Sequence, residues 1–142
     1  MQAGAGACQN GRGFVEGIGI DMVDIARFGR YAGKPESAFC QRVYTDYERE
    51  YIKDRGPATM AGLFAAKEAV AKALGTGFAG ISPKEIEITH GETGAPQVKL
   101  RGRAGEAARG KAVIVSITHT KTAAAAVAYA GTPGTNGTEG LA

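Results

Sequence analysis

From Phe14 to Ile20 the chain is apolar apart from Glu16 and is interrupted by Gly17 and Gly19, which predicts a short strand ending at Asp21. Over Asp24 to Lys34 the period changes. Ile25, Phe28 and Ala32 share one helical face, while Arg27, Arg30 and Lys34 gather within roughly 60° on another at 3.6 residues per turn, so an amphipathic helix with a basic ridge is expected. Two short helices follow in the pattern, Ser37–Val43 and Asp46–Lys53, the second with Thr45 as N-cap and Glu48 placed to complete a capping box. Pro57 suits the first turn of a longer helix that reaches Leu74 and stops at Gly75. Next, Glu85–Thr89 and Gln97–Leu100 flank Gly91-Glu92-Thr93-Gly94-Ala95-Pro96 as a hairpin. A brief helix over Arg103–Arg109 precedes two apolar strands, Ala112–Thr118 and Thr122–Tyr129, joined through His119-Thr120-Lys121 and expected to form an interior antiparallel pair. The fold class is therefore α+β, an antiparallel sheet packed on a long central helix in one domain over residues 14–131. Residues 1–13 and 132–142 lack hydrophobic periodicity and are rich in Gly and Thr, so flexible tails are expected at both ends.

Composition narrows the class of protein. A chain of 142 residues with 44% hydrophobic and 22% charged residues can bury one ordinary core and is too apolar to be disordered throughout. No apolar run approaches the ~20 residues of a membrane span, and residues 1–13 hold no stretch of signal-peptide length, so a soluble cytoplasmic protein without a membrane partner is expected. Cys8 and Cys40 form neither a disulfide framework nor a metal-spaced cluster and read as free thiols. The net charge of +3 favours an acidic partner without calling for nucleic acid.

The charges of Phe64–Lys72 do not suit a simple amphipathic helix. Projected at ~100° per residue, Met60, Leu63, Phe64, Val70, Ala71 and Leu74 form an apolar arc with Lys67 near its centre and Glu68 at its edge. Full burial would depress an unpaired ammonium's pKa by as much as ~3–5 units, so Lys67 needs either an anionic ligand or a nearby carboxylate. Glu68 and Lys72, one turn apart, are either a solvated ion pair or part of a charged site. Asp21 either turns the chain into the basic helix or ligates a metal. Two carboxylates from distant elements, with water and a substrate phosphate, would suit magnesium, whereas no His or Cys spacing suits zinc. His119 ends an apolar strand in Ser116-Ile117-Thr118-His119-Thr120-Lys121, a donor-rich segment that would hold a phosphate or simply build a Thr-rich turn. His90 reads as a surface residue at a strand end. The run Gly75-Thr76-Gly77-Phe78-Ala79-Gly80 satisfies GxGxxG, but it follows a helix and precedes a strand, the reverse of a dinucleotide-binding turn. Asn136-Gly137-Thr138 satisfies the glycosylation sequon, which has no meaning in a cytoplasmic protein.

Three separated motifs, Gly17-Ile18-Gly19-Ile20-Asp21, the run FAAKEAVAKALGTG from Phe64 to Gly77, and SITHTK from Ser116 to Lys121, occur in the order and spacing of one family. Over Val15 to Ala130 the chain resembles the holo-acyl-carrier-protein synthases of the 4′-phosphopantetheinyl transferase superfamily. The resemblance implies that family's fold and a magnesium-dependent transfer of the 4′-phosphopantetheine arm of coenzyme A to a serine of apo acyl carrier protein, releasing adenosine 3′,5′-bisphosphate. It implies Asp21 and Glu68 as magnesium ligands and, with Lys72, as the catalytic set. Lys72 and Lys67 would neutralise phosphate charge, and His119 and Thr120 would contact the coenzyme. Arg27 falls where relatives present arginine to an acidic carrier helix, and Arg30 and Lys34 extend that docking ridge. A homotrimer with each site at a protomer boundary is the family expectation, as is a role in fatty-acid and lipid metabolism. One position departs from the pattern: the motif carries arginine immediately before Phe64, where this chain has Leu63, and Arg55 is the expected substitute for that coenzyme contact.

Overall fold

The computed structural model describes residues 14–132; the expected tail at 1–13 and all but Thr132 of the one at 132–142, together with Cys8 and the Asn136 sequon, lie outside the described residues. Among the described residues, five strands and four α-helices follow one another as β1 (Phe14–Asp24), α1 (Ala38–Val43), α2 (Asp46–Ile52), α3 (Pro57–Ala73), β2 (Ile86–His90), β3 (Pro96–Leu100), α4 (Gly102–Ala108), β4 (Ala112–His119) and β5 (Ala123–Thr132). Strands β1, β5 and β4 form one antiparallel sheet in that order, and β2 with β3 forms a separate hairpin.

The three-stranded sheet lays one face on α3, and small residues set how closely. Ala124, Ala126, Ala128 and Ala130 of β5 are buried against a helix whose own inward residues include Ala65, Ala66, Ala69 and Ala73. On β1 the alternation turns Gly19, Asp21 and Val23 toward the helix and Ile18, Ile20 and Met22 away from it. A β carbon at Gly19 would fall on the Ala69 carbonyl oxygen and stand 2.8 Å from the Ala73 nitrogen, and one at Gly17 would fall on the Ala73 carbonyl oxygen. Only glycine lets the strand backbone lie against the helix backbone here.

A buried ion pair ties the hairpin to this layer. Thr45 and Glu48 form the expected capping box, with Thr45 Oγ1 accepting from the Glu48 amide at 3.3 Å and Glu48 Oε2 accepting from the Thr45 amide at 2.9 Å. Glu48 also accepts from the Ile88 amide of β2 at 2.7 Å and meets Lys67 Nζ at 2.7 Å. Lys67 donates its remaining hydrogens to the carbonyls of Pro83, at 2.9 Å, and Ile86, at 2.6 Å. Both side chains have no exposed surface. Burial pushes the Glu48 carboxyl up and the Lys67 ammonium down, against the pull of each partner on the other. Lys67, expected also as a coenzyme contact, therefore has no donor left for a phosphate and leaves that set. Its counter-charge is a carboxylate of the fold.

Four further expectations are corrected. Strand β1 continues past Asp21 because Asp21 to Asp24 pair with Ala126 to Ala123, so Asp21 lies inside the strand. The basic helix is a 3₁₀ segment over Ile25–Tyr31, in which residues three apart eclipse; Arg27 and Arg30 still share a side, while Lys34 falls in the following turn. Strands β4 and β5 do pair antiparallel, but β4 is an edge strand and the outer face of the sheet is open, with Ile18, Ile20, Met22, Ile114 and Tyr129 exposed. Thr132, expected in the tail, pairs with Phe14 at the end of β5.

Stability measurements on three variants check this frame. Gly19→Ala should lower the unfolding free energy by at least ~3 kcal/mol in urea titration, because backbone rather than a flexible side chain occupies the space. Lys67→Met should cost ~3–5 kcal/mol by leaving Glu48 buried and unpaired. Lys72→Met, by contrast, should leave the unfolding midpoint nearly unchanged.

Candidate functional site

Asp21 is carried by β1 to the flank of α3, where Lys72 meets it. Lys72 Nζ donates to the Ile20 carbonyl at 2.9 Å and to Asp21 Oδ1 at 3.2 Å. Asp21 Oδ2 is buried and finds no hydrogen-bond partner among the described residues. Glu68 stands one turn before Lys72 on the helix. Burial raises its carboxyl, and the charge of Asp21 raises it further, while Lys72 and Arg27 pull the other way. Of the two readings open for Glu68 and Lys72, the solvated ion pair with each other is not formed, because Lys72 pairs with Asp21. Two carboxylates that repel each other, one with an orphaned buried oxygen, fit a divalent cation. No group of three His, Cys, Asp or Glu side chains placed to hold a metal ion occurs among the described residues.

Arg27 approaches the same cluster from the 3₁₀ segment. With Arg30, Phe28, Tyr31 and Phe39 it lines a shallow cavity of about 200 Å³, whose aromatic wall is held by Phe28 against Phe64 at 5.4 Å and Tyr31 stacked on Phe39 at 4.2 Å. Lys34 is exposed beyond this cavity and does not line it.

A second cleft, of about 240 Å³, lies on the other flank of α3. Thr59, Gly62 and Leu63 of the helix form one wall, and Tyr51, His90 and His119 meet there from α2, β2 and β4. His119 is exposed, with Nδ1 3.1 Å from the Thr120 carbonyl oxygen. Thr120 spends its hydroxyl on the turn, accepting from the amides of Thr122 at 3.2 Å and Ala123 at 3.1 Å. Arg55 lies with its guanidinium 3.8 Å from the centre of the Tyr51 ring and donates to the Tyr51 carbonyl at 2.6 Å. His90, expected to be an unremarkable surface residue, instead stacks on Tyr51 at 4.2 Å and lines the cleft. No sequence signal marked it, because only the folded hairpin brings the end of β2 over α2.

The two sites are separated by the helix itself. Thr59 and Glu68 are nine residues apart, half a turn apart in projection at ~100° per residue. Asp21 on β1 and His119 on β4 turn toward the α3 side of the sheet from its two edge strands, with β5 between them. Asp21, Glu68 and Lys72 come together in the chain; His119, Thr120 and Arg55 do not join them.

Comparison with known proteins gives one consistent result. The family model described as the 4′-phosphopantetheinyl transferase superfamily matches residues 17–128. A holo-[acyl-carrier-protein] synthase of Caldicellulosiruptor bescii is 49% identical over 118 residues, covering 80% of this chain and 95% of the relative. Among solved structures, the holo-[acyl-carrier-protein] synthase of Helicobacter pylori in complex with coenzyme A is similar with a TM-score of 0.71 at 32% identity, covering 80% of this chain and 98% of that one. The Bacillus anthracis holo-(acyl-carrier-protein) synthase, in complex with CoA (3′,5′-ADP), gives a TM-score of 0.69 at 32% identity over 83% of this chain and 97% of that one.

Proposed function

The chain belongs to the 4′-phosphopantetheinyl transferase superfamily, and from that premise we propose that it is a holo-acyl-carrier-protein synthase acting with magnesium held by Asp21 and Glu68. It transfers the 4′-phosphopantetheine arm of coenzyme A to a serine of apo acyl carrier protein. The serine oxygen attacks the phosphorus that bears the pantetheine arm and forms the new O–P bond as the pyrophosphate P–O bond breaks; adenosine 3′,5′-bisphosphate leaves with the bridging oxygen, and the serine proton passes to solvent. The observation that carries the metal assignment is the orphaned, buried Oδ2 of Asp21 beside the burial-raised carboxyl of Glu68.

Magnesium, when bound, supplies charge neutralisation and polarisation of the pyrophosphate oxygens. The chain's own residues do the rest. Asp21 and Glu68 project from a strand and a helix whose backbones touch, so their separation is held by the fold and costs no reorganisation during the reaction. Lys72 is half exposed, with its ammonium on Asp21, and can turn from that carboxylate to a phosphoryl oxygen once the cation is in place. Arg27, with Arg30 beside it and Lys34 further along, offers positive charge to an acidic carrier helix at the mouth of this site, and the aromatic cavity under Arg27 receives apolar side chains of that helix. Arg55, His119 and Thr120 contribute to the coenzyme site from the other flank of α3.

A homotrimer accounts for both the separation of the two flanks and the open face of the sheet. One coenzyme can bridge the carboxylate cluster and the His119 cleft if the two belong to neighbouring copies. Ile18 is 61% exposed, Ile20 67%, Met22 71% and Ile114 66%, an apolar surface on one sheet face that a second copy would cover. No helix among the described residues is long and apolar enough to cross a membrane. The reading includes a cytoplasmic enzyme that supplies holo carrier protein to fatty-acid synthesis.

The reaction is checked by mass spectrometry of apo carrier protein incubated with coenzyme A, magnesium and this protein: the carrier should gain the mass of phosphopantetheine, and no gain across several carriers would refute the activity. Asp21→Ala and Glu68→Ala should each lower turnover by at least ~100-fold with the fold retained by circular dichroism. Normal turnover in either variant would remove the metal assignment. Ile20→Glu should convert a trimer to smaller species by light scattering and depress transfer with it; a wild-type protein that is monomeric at micromolar concentration would refute the assembly.

A further inference from the structure

The start of α2 and the open end of the β2–β3 hairpin enclose a cavity of about 320 Å³, lined by Thr45, Asp46, Tyr47, Lys84, Glu87 and Arg101. It shares no lining residue with the His119 cleft, and none with the cluster of Asp21, Glu68 and Lys72. Glu87 is only 5% exposed, and its Oε1 accepts from Arg101 Nη2 over a long 3.3 Å. Its Oε2 accepts from no group among the described residues, yet it is not one of the oxygens sealed from solvent, so it opens to the cavity. A carboxylate withdrawn from water with half its acceptor capacity unused is costly, and a ligand donor would restore what it lacks.

The cations of the cavity are equally unengaged. Arg101 keeps 64% of its side chain exposed, and its guanidinium donates to Glu87 alone among the described residues. Lys84 is exposed and forms no ion pair among them. Asp46, the other carboxylate at the rim, is already held by Arg49 at 2.7 Å. Two cations and one carboxylate oxygen are therefore open to a ligand. An α-amino acid carries its ammonium and carboxylate on one carbon, which matches in reverse the carboxylate and guanidinium that Glu87 and Arg101 set side by side. A second carboxylate, on the ligand's side chain, answers Lys84.

We propose that this cavity is a second ligand site, taking an acidic α-amino acid with its ammonium on Glu87 Oε2, its α-carboxylate on Arg101 and its side-chain carboxylate on Lys84. Tyr47, 42% exposed, supplies an aromatic wall. The site stands on its own geometry and does not depend on the transferase reading.

Calorimetric titration of the intact protein with L-glutamate, glutarate and L-glutamine tests it. Glutarate lacks the ammonium and L-glutamine the second carboxylate, so each should bind roughly tenfold more weakly than L-glutamate. Glu87→Gln keeps the shape and removes the charge, and should weaken L-glutamate about tenfold without weakening glutarate. Lys84→Met, at an exposed position, should erase the preference for L-glutamate over L-glutamine. Absence of saturable L-glutamate binding up to ~10 mM would overturn the site. So would glutarate or L-glutamine binding as tightly as L-glutamate, or an unchanged L-glutamate affinity in Glu87→Gln. Failure of Glu87→Gln to fold passes the decision to Lys84→Met, where loss of the preference supports the site and its retention overturns it.

Discussion

The contact between the β1 backbone and the α3 backbone governs the rest of this structure. Gly17 and Gly19 lie against the carbonyls of Ala73 and Ala69 with no space for a β carbon. At that distance a side chain two residues further along the strand, Asp21, shares the helix flank with Glu68 and Lys72. A conventional sheet-on-helix layer with large side chains between would hold the two carboxylates further apart. The alanines of β5 continue the same thin layer, so the close approach is a property of the whole interface rather than of one turn. Such an interface gains little from area per residue and relies on dense van der Waals contact, which a single added methyl group disrupts.

The helix that lies on this layer carries three charges within six residues, and each meets a different fate. Lys67 turns inward to Glu48, where three acceptors match three ammonium hydrogens and the carboxylate is in turn satisfied by two amides. That pair joins α2, α3 and the β2–β3 hairpin at one buried point. Glu68 and Lys72 face the β1 flank and stay accessible to ligand. Lys67 is fully paired inside the fold, whereas Lys72 is half exposed at the edge with its ammonium on Asp21 and the Ile20 carbonyl. The cleft on the opposite flank, with His90, His119 and Tyr51, is lined by no carboxylate.

Much of the fold was legible in the chain before it was folded. Pro57 and Gly75 bracket α3 as their backbone preferences require, Gly75 having φ of +82°, and Thr45 with Glu48 caps α2. The anomaly of Lys67 in an apolar arc was also visible, yet whether ligand or carboxylate would answer it was not, since Glu48 looked like an ordinary capping residue. The end of β1 is not legible in the sequence because Asp21 to Asp24 are paired with a strand about a hundred residues away. An α-helix and a 3₁₀ helix both place Ile25 and Phe28 on one side, so periodicity does not separate them over Ile25–Tyr31. His90 gave no signal at all.

Local preferences, periodicity and three short motifs were sufficient for the element order, the α+β class and the superfamily, because those depend on nearest neighbours in the chain and on patterns that relatives share. Which charges meet depended on folding. Asp21 with Lys72, Lys67 with Glu48, and Tyr51 with His90 are separated by 51, 19 and 39 positions, and no periodicity can encode a pairing between elements whose relative placement is set by glycine-to-helix contact and hairpin docking. The division of the donor groups between two flanks of α3 likewise follows from where the helix crosses the sheet, which is a property of the packed layer and of no segment taken alone.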